Sequence, residues 1–116
     1  MMEVYAEDAV LDVSAVFSDI APMQGQQDMR RYWQSLRETW GGGMRADPLD
    51  LFDVGGGRYV LDLRMSGTGT RSGVEVDQRF AFLYTFRDDG KIVRAELFPD
   101  IAAATSAAES HTAGTA

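Results

Sequence analysis

The sequence predicts an α+β domain built on a mostly antiparallel sheet, and three observations carry that prediction. Apolar residues recur at helical spacing from Met29 to Trp40. The period switches to two after Arg45, and Phe80, Phe82, Tyr84 and Phe86 occupy every second position of one β-like segment. A chain of 116 residues is about one domain long and can bury a single core without staples.

The elements follow in chain order. "MMEVYAEDAVLDVSAV" reads as the last turns of a helix, with Met2, Tyr5 and Ala6 at helical spacing, followed by a β-branched strand. "DIAPMQG", residues 19 to 25, carries Pro22 and Gly25 and reads as a connection. In "GQQDMRRYWQSLRETWGGG", Met29, Tyr32, Trp33, Leu36 and Trp40 form one apolar stripe, and Gly41 to Gly43 cannot continue the helix. Four strand candidates come next, "ADPLDLFDV", "RYVLDLRMSG", "VEVDQRFAFLYTFR" and "KIVRAELF". The turn signals "GGG", "GTGTRSG" and "DDG" separate them and make a meander. Asp100 can cap a short Ala-rich helix, and residues 105–116 are expected to be a flexible small-residue tail after a domain over 1–104.

Composition excludes several function classes. With no cysteine there is no disulfide, thiolate metal site or cysteine nucleophile. The single histidine, His111, sits in the tail, which removes Ser-His schemes and histidine metal sites, so no metal is expected. A formal net charge of −7 argues against nucleic acid, because phosphate binding needs clustered Lys and Arg. No apolar run reaches the roughly 18 residues of a membrane span, and the start lacks a signal-peptide pattern, so a cytoplasmic protein is expected. The glycine clusters precede no helix in a phosphate-cradling arrangement and read as turns.

Side-chain parity divides the sheet. If "GTGTRSG" turns around Thr70 and Arg71, Asp62 faces Arg79 and Arg64 faces Asp77 on one side, while Leu61 faces Phe80 and Leu63 faces Gln78 on the other. The aromatic side then belongs to the interior and the Asp and Arg ladder to the exterior. That ladder reads as a register-setting surface network or a dimer contact, or, in a shifted register, as a water-activating constellation.

The order of "YAED", "G…YW", "SGVEVD", "DGKIVR" and "F.D" resembles the SnoaL-like, polyketide-cyclase-like branch of the nuclear transport factor 2-like superfamily, over roughly residues 3 to 104. The resemblance implies a cone-shaped half-barrel, a strongly curved sheet closed by helices around an apolar pocket, and a homodimer through the convex sheet face. It also implies a long helix and most of a second one ahead of "YAED", where only Met1 to Tyr5 precede that turn here; a start set too late, a truncated domain or a partner chain would each account for it. The family hosts isomerases, aldol cyclases, epoxide hydrolases and dehydratases as well as non-enzymes. Aligned on ketosteroid isomerase, the acid and base positions fall on Val13 and Phe82, and the tyrosine falls in the missing helix, so that mechanism does not carry over. Limonene epoxide hydrolase uses carboxylates and an arginine, residue types that Asp62, Arg64, Asp77 and Arg79 supply.

The expected function is binding of a hydrophobic small molecule, with cofactor-independent acid and base chemistry on a cyclic or polyketide-like substrate. Asp12, the single acid among Val10, Leu11 and Val13, is the candidate base, since burial would raise its pKa toward the working pH. The other reading has Asp12 pointing outward or paired with an arginine. Tyr84 and Gln78 share the aromatic face and are the candidates for polarising a carbonyl, and Tyr32, Trp33, Phe80, Phe82 and Leu97 are the expected ligand wall. The rival to an enzyme is a non-catalytic ligand-binding or dimerisation module.

Overall fold

The computed structural model describes residues 4–40, 45–68, 73 and 75–115. Six strands and two helices follow in the order β1 (Tyr5–Asp12), β2 (Met23–Gln24), α1 (Gly25–Trp40), β3 (Arg45–Gly55), β4 (Arg58–Thr68), β5 (Glu75–Phe86), β6 (Ile92–Phe98) and α2 (Ile101–Thr115). The strands form one curved sheet in the order β2-β1-β6-β5-β4-β3, which does not close into a barrel. The pairs are antiparallel except β1 with β6, which run parallel. The expected class, α+β with a mostly antiparallel sheet, is therefore the observed one.

The start of the chain differs from expectation. Tyr5 and Ala6, read as part of a helix end, are strand, because β1 pairs with β6 beginning at Tyr5 and Ile92. Between that pair and Val10 with Arg94, β1 spends five residues where β6 spends two, so β1 bulges. Gly41 to Gly43, expected to stop α1, lie outside the described residues, as do Thr70 and Arg71 of the expected hairpin turn.

The hairpin of β4 and β5 is shifted two residues from the expected register: Arg64 opposes Arg79, Asp62 opposes Ala81 and Met65 opposes Gln78. An even shift leaves every side chain on its face. The charge pairs survive as diagonal contacts. Arg79 donates to Asp62, and Arg64 holds Asp77 with two bonds of 2.7 and 2.5 Å.

Each helix covers a different face. Met29, Tyr32 and Trp33 of α1 join Leu11, Val13, Leu63, Phe80, Ala95 and Leu97 in the main core. On the opposite face, Ala104 and Ala108 of α2 meet Val60, Ala81 and Leu83. Asp100 caps α2, accepting from the backbone N–H of Ala103 at 2.8 Å. α2 continues through residues read as a tail, because its alanines let the helix lie close on the sheet and bury Ala108. It thus occupies part of the face expected to join two copies. Among the described residues no helix is long and apolar enough to cross a membrane.

Candidate site on the aromatic face

The α1 face holds two grades of side chain. Phe80 and Leu97 are buried in the core. Tyr32, Trp33, Phe82 and Tyr84 are half-buried around it. Alternation along β5 puts Phe82 and Tyr84 side by side, stacked with ring centroids 5.4 Å apart, and adjacent positions on α1 set Tyr32 against Trp33 at 5.3 Å. The expected ligand wall therefore splits into closed core, Phe80 and Leu97, and partly open aromatic surface.

One polar pair interrupts that surface. The phenols of Tyr84 and Tyr5 lie close enough to influence each other in a mainly apolar setting. Burial pushes both phenols above their ordinary range; their interaction raises Tyr84 further and offsets part of the rise at Tyr5. Tyr5 was not singled out by sequence reasoning as a site residue, because a helical reading of "MMEVYA" hid its place in the sheet.

Gln78 lies on the same face but is exposed, six residues from Tyr84. At about 3.4 Å per residue the two are roughly 20 Å apart along the strand, too far to share one carbonyl. The structure does not bring them together.

Asp12 falls on the other face, since its neighbours Leu11 and Val13 are buried in the α1 core. Its carboxylate accepts from the Ser14 hydroxyl at 2.5 Å and the Ser14 backbone N–H at 3.0 Å, and Arg94 approaches to 3.4 Å. Arg94 also reaches Glu96 at 3.1 Å, beside Asp12 in the parallel register. Partial burial pushes the Asp12 carboxyl up, but the Ser14 bonds and the Arg94 guanidinium more than offset it, leaving its pKa below the usual value. These contacts make a paired carboxylate at a strand end. Asp62 is 4% exposed and bonded to Arg79 on this same face, away from the aromatic wall.

An open groove of about 940 Å³ borders Tyr5. Its floor is the β1 bulge, Tyr5, Ala6, Glu7 and Asp8, and its walls are Gln26 and Arg30 from α1 and Arg87 and Lys91 from the β5–β6 turn. Gln26 locks the bulge by donating to the Tyr5 carbonyl at 2.9 Å. Among the described residues no three His, Cys, Asp or Glu side chains are grouped to hold a metal ion.

An open, curved α+β sheet carrying a helix on its aromatic face is the architecture of nuclear transport factor 2-like proteins. Within that class the family model of the SnoaL-like domain matches residues 1–95, and the chain belongs to this family. Similar solved structures include Bal32a from a soil-derived mobile gene cassette, at 17% identity and a TM-score of 0.72, covering 83% of this chain and 71% of that one. A candidate polyketide cyclase from Sinorhizobium meliloti is 25% identical with a TM-score of 0.61, covering 82% and 75%. The epoxide hydrolase/cyclase-like enzyme SalBIII, of pyran ring formation in the polyether salinomycin, is 18% identical with a TM-score of 0.68, covering 87% and 76%. No curated protein matches the chain.

Proposed function

We propose that this protein binds a cyclic, mainly apolar small molecule bearing an oxygen, laid against Tyr32, Trp33 and Phe82 with the Tyr5 and Tyr84 hydroxyls as its polar contact. The observation that carries the reading is the half-burial of these aromatic side chains around a hydroxyl pair, which offers apolar area and one fixed hydrogen-bonding point, the usual make-up of a small-molecule site. Similarity to a candidate polyketide cyclase and to an epoxide hydrolase/cyclase-like enzyme supports cyclic, oxygen-rich ligands as the class.

Binding comes first in this reading, and carbonyl polarisation by the tyrosines is the chemistry it allows without a cofactor. Proton abstraction by Asp12 is given less weight, because a carboxylate held below its usual pKa is a poor base and its side chain lies across the sheet from the aromatic wall.

The test is a titration with 1-tetralone, an aromatic cyclic ketone, followed by tryptophan fluorescence. Saturable quenching is expected, with affinity falling about tenfold in Phe82→Ala as the aromatic contact is lost. An absence of saturation, or an affinity unmoved by Phe82→Ala, would sink the proposal.

A further inference from the structure

β3 is an outer strand of the sheet, and among the described residues no strand lies beyond it. The other edge ends in β2, two residues long, against which α1 packs. The β3 edge is therefore the long open one, and an open edge offers unpaired backbone N–H and C=O groups to an extended chain. Pro48, which has no N–H, and the bulge at Leu49 blunt its first half. From Asp50 to Asp53 the strand runs in regular register on β4.

These four residues read acid, apolar, apolar, acid. Leu51 is 58% and Phe52 38% exposed, on opposite faces of the sheet. Asp50 and Asp53 have no cation partner among the described residues: Asp50 accepts from the Leu51 N–H at 2.9 Å and Asp53 from the Gly55 N–H at 2.8 Å. Asp50 also stands across from Asp62, whose partner Arg79 lies on β5, beyond β4. Neighbouring carboxylates repel, so a cation placed outside β3 would be held there. A second copy of the chain is poorly suited to supply it, because β3 carries three aspartates and one arginine on a chain of net charge −7, and two such edges would meet with like charges.

We infer that Asp50–Asp53 is a docking edge for an extended basic peptide segment of another protein, which pairs with β3 as an added strand and sets cation, apolar, apolar, cation against acid, apolar, apolar, acid. Its apolar side chains cover Leu51 and Phe52, one on each face, and its Lys or Arg side chains meet Asp50 and Asp53. The backbone ladder supplies affinity, and the charges fix the register and exclude acidic segments. This edge is separate from the aromatic site, and neither reading depends on the other.

The experiment titrates the full chain into a fluorescein-labelled, end-capped peptide of sequence TKVVKT at low salt and follows its anisotropy. Saturable binding is expected, and Asp50→Lys and Leu51→Lys, both changes at exposed positions, should each weaken it about tenfold. Asp19→Lys makes the same charge change on the connection between β1 and β2, toward the other edge of the sheet, and should weaken binding less than about twofold. The same peptide N-methylated at both valines keeps its charge but loses N–H donors for the ladder, and should bind about tenfold more weakly or not at all. The docking edge is overturned if the wild type does not bind, if the methylated peptide binds equally well, or if Asp19→Lys weakens binding as much as Asp50→Lys, since general charge attraction then explains the result. A light-scattering mass of a dimer for the wild type and of a monomer for Leu51→Lys would give the edge to a second copy and overturn the peptide assignment as well.

Discussion

The two faces of this sheet are finished in opposite ways. On the α2 face the helix lies on β4, β5 and β6, and the meeting surfaces are small or branched: Val60, Ala81, Leu83 and Ala104 are each 0% exposed. On the other face α1 lies mainly along β1 and β2, toward one side of the sheet, so Leu51 on β3 is 58% exposed and Phe82 and Tyr84 are half-buried. Apolar area that is already dry contributes stability. Apolar area that is still wet can be dried by a ligand, and the same transfer free energy then appears as affinity. The difference separates the face that holds the fold from the face that can act.

The comparison breaks first, and hardest, at Leu83. Its side chain is fully buried beneath α2, so Leu83→Ala should cost about 2–5 kcal/mol in urea unfolding, the usual price of a core leucine whose site cannot collapse. A loss under about 1 kcal/mol would mean that α2 is not seated there. Next in size is Ala104→Leu. The close approach of α2 depends on alanine at this position, and the added volume should cost about 1–3 kcal/mol by forcing the helix off the sheet. Both changes should leave 1-tetralone binding by the surviving folded fraction unaltered.

Phe82→Ala inverts that pattern. Its ring is half-buried, so the loss of stability should stay below about 2 kcal/mol, while affinity falls. A stability loss equal to that of Leu83→Ala would make the aromatic row ordinary core and remove the distinction between the faces.

These contrasts were legible in the sequence to different depths. The period-two alternation of Phe80, Phe82 and Tyr84 gave the face of every β5 side chain, and faces survive an even slip, which is why Arg64 with Asp77 and Asp62 with Arg79 were found despite a register wrong by two. The absolute register was not legible, because the turn that sets it holds three glycines with no unique geometry. Tyr5 escaped because a bulge interrupts β1, and five residues against two leave no periodicity to read. The length of α2 escaped for another reason. A run of alanine, serine and threonine has little amphipathic pattern, and only docking on the sheet shows which alanines are buried.

Asp12 gives the smallest expected effect and tests the faces from the other side. In the folded chain its pKa lies below the usual 3.8, so folding is favoured by the ionised form. The contribution is therefore fully present above the unfolded-state value and is lost as the pH falls through the folded one. Asp12→Asn should lower stability at pH 7 by less than about 1 kcal/mol, because the partner Arg94 is 40% exposed and solvent screens the pair. Urea midpoints of the two proteins should converge as the pH drops below about 3.8, where the wild-type carboxyl is itself neutralised. The opposite pattern, an Asn variant more stable at pH 7 with the gap closing as acid protonates Asp12 well above its usual pKa, would require a desolvated carboxyl. That carboxyl would be a competent base, and the chemistry would then have to be sought on the α2 face, where Asp12 meets Arg94 and Glu96, instead of on the aromatic one.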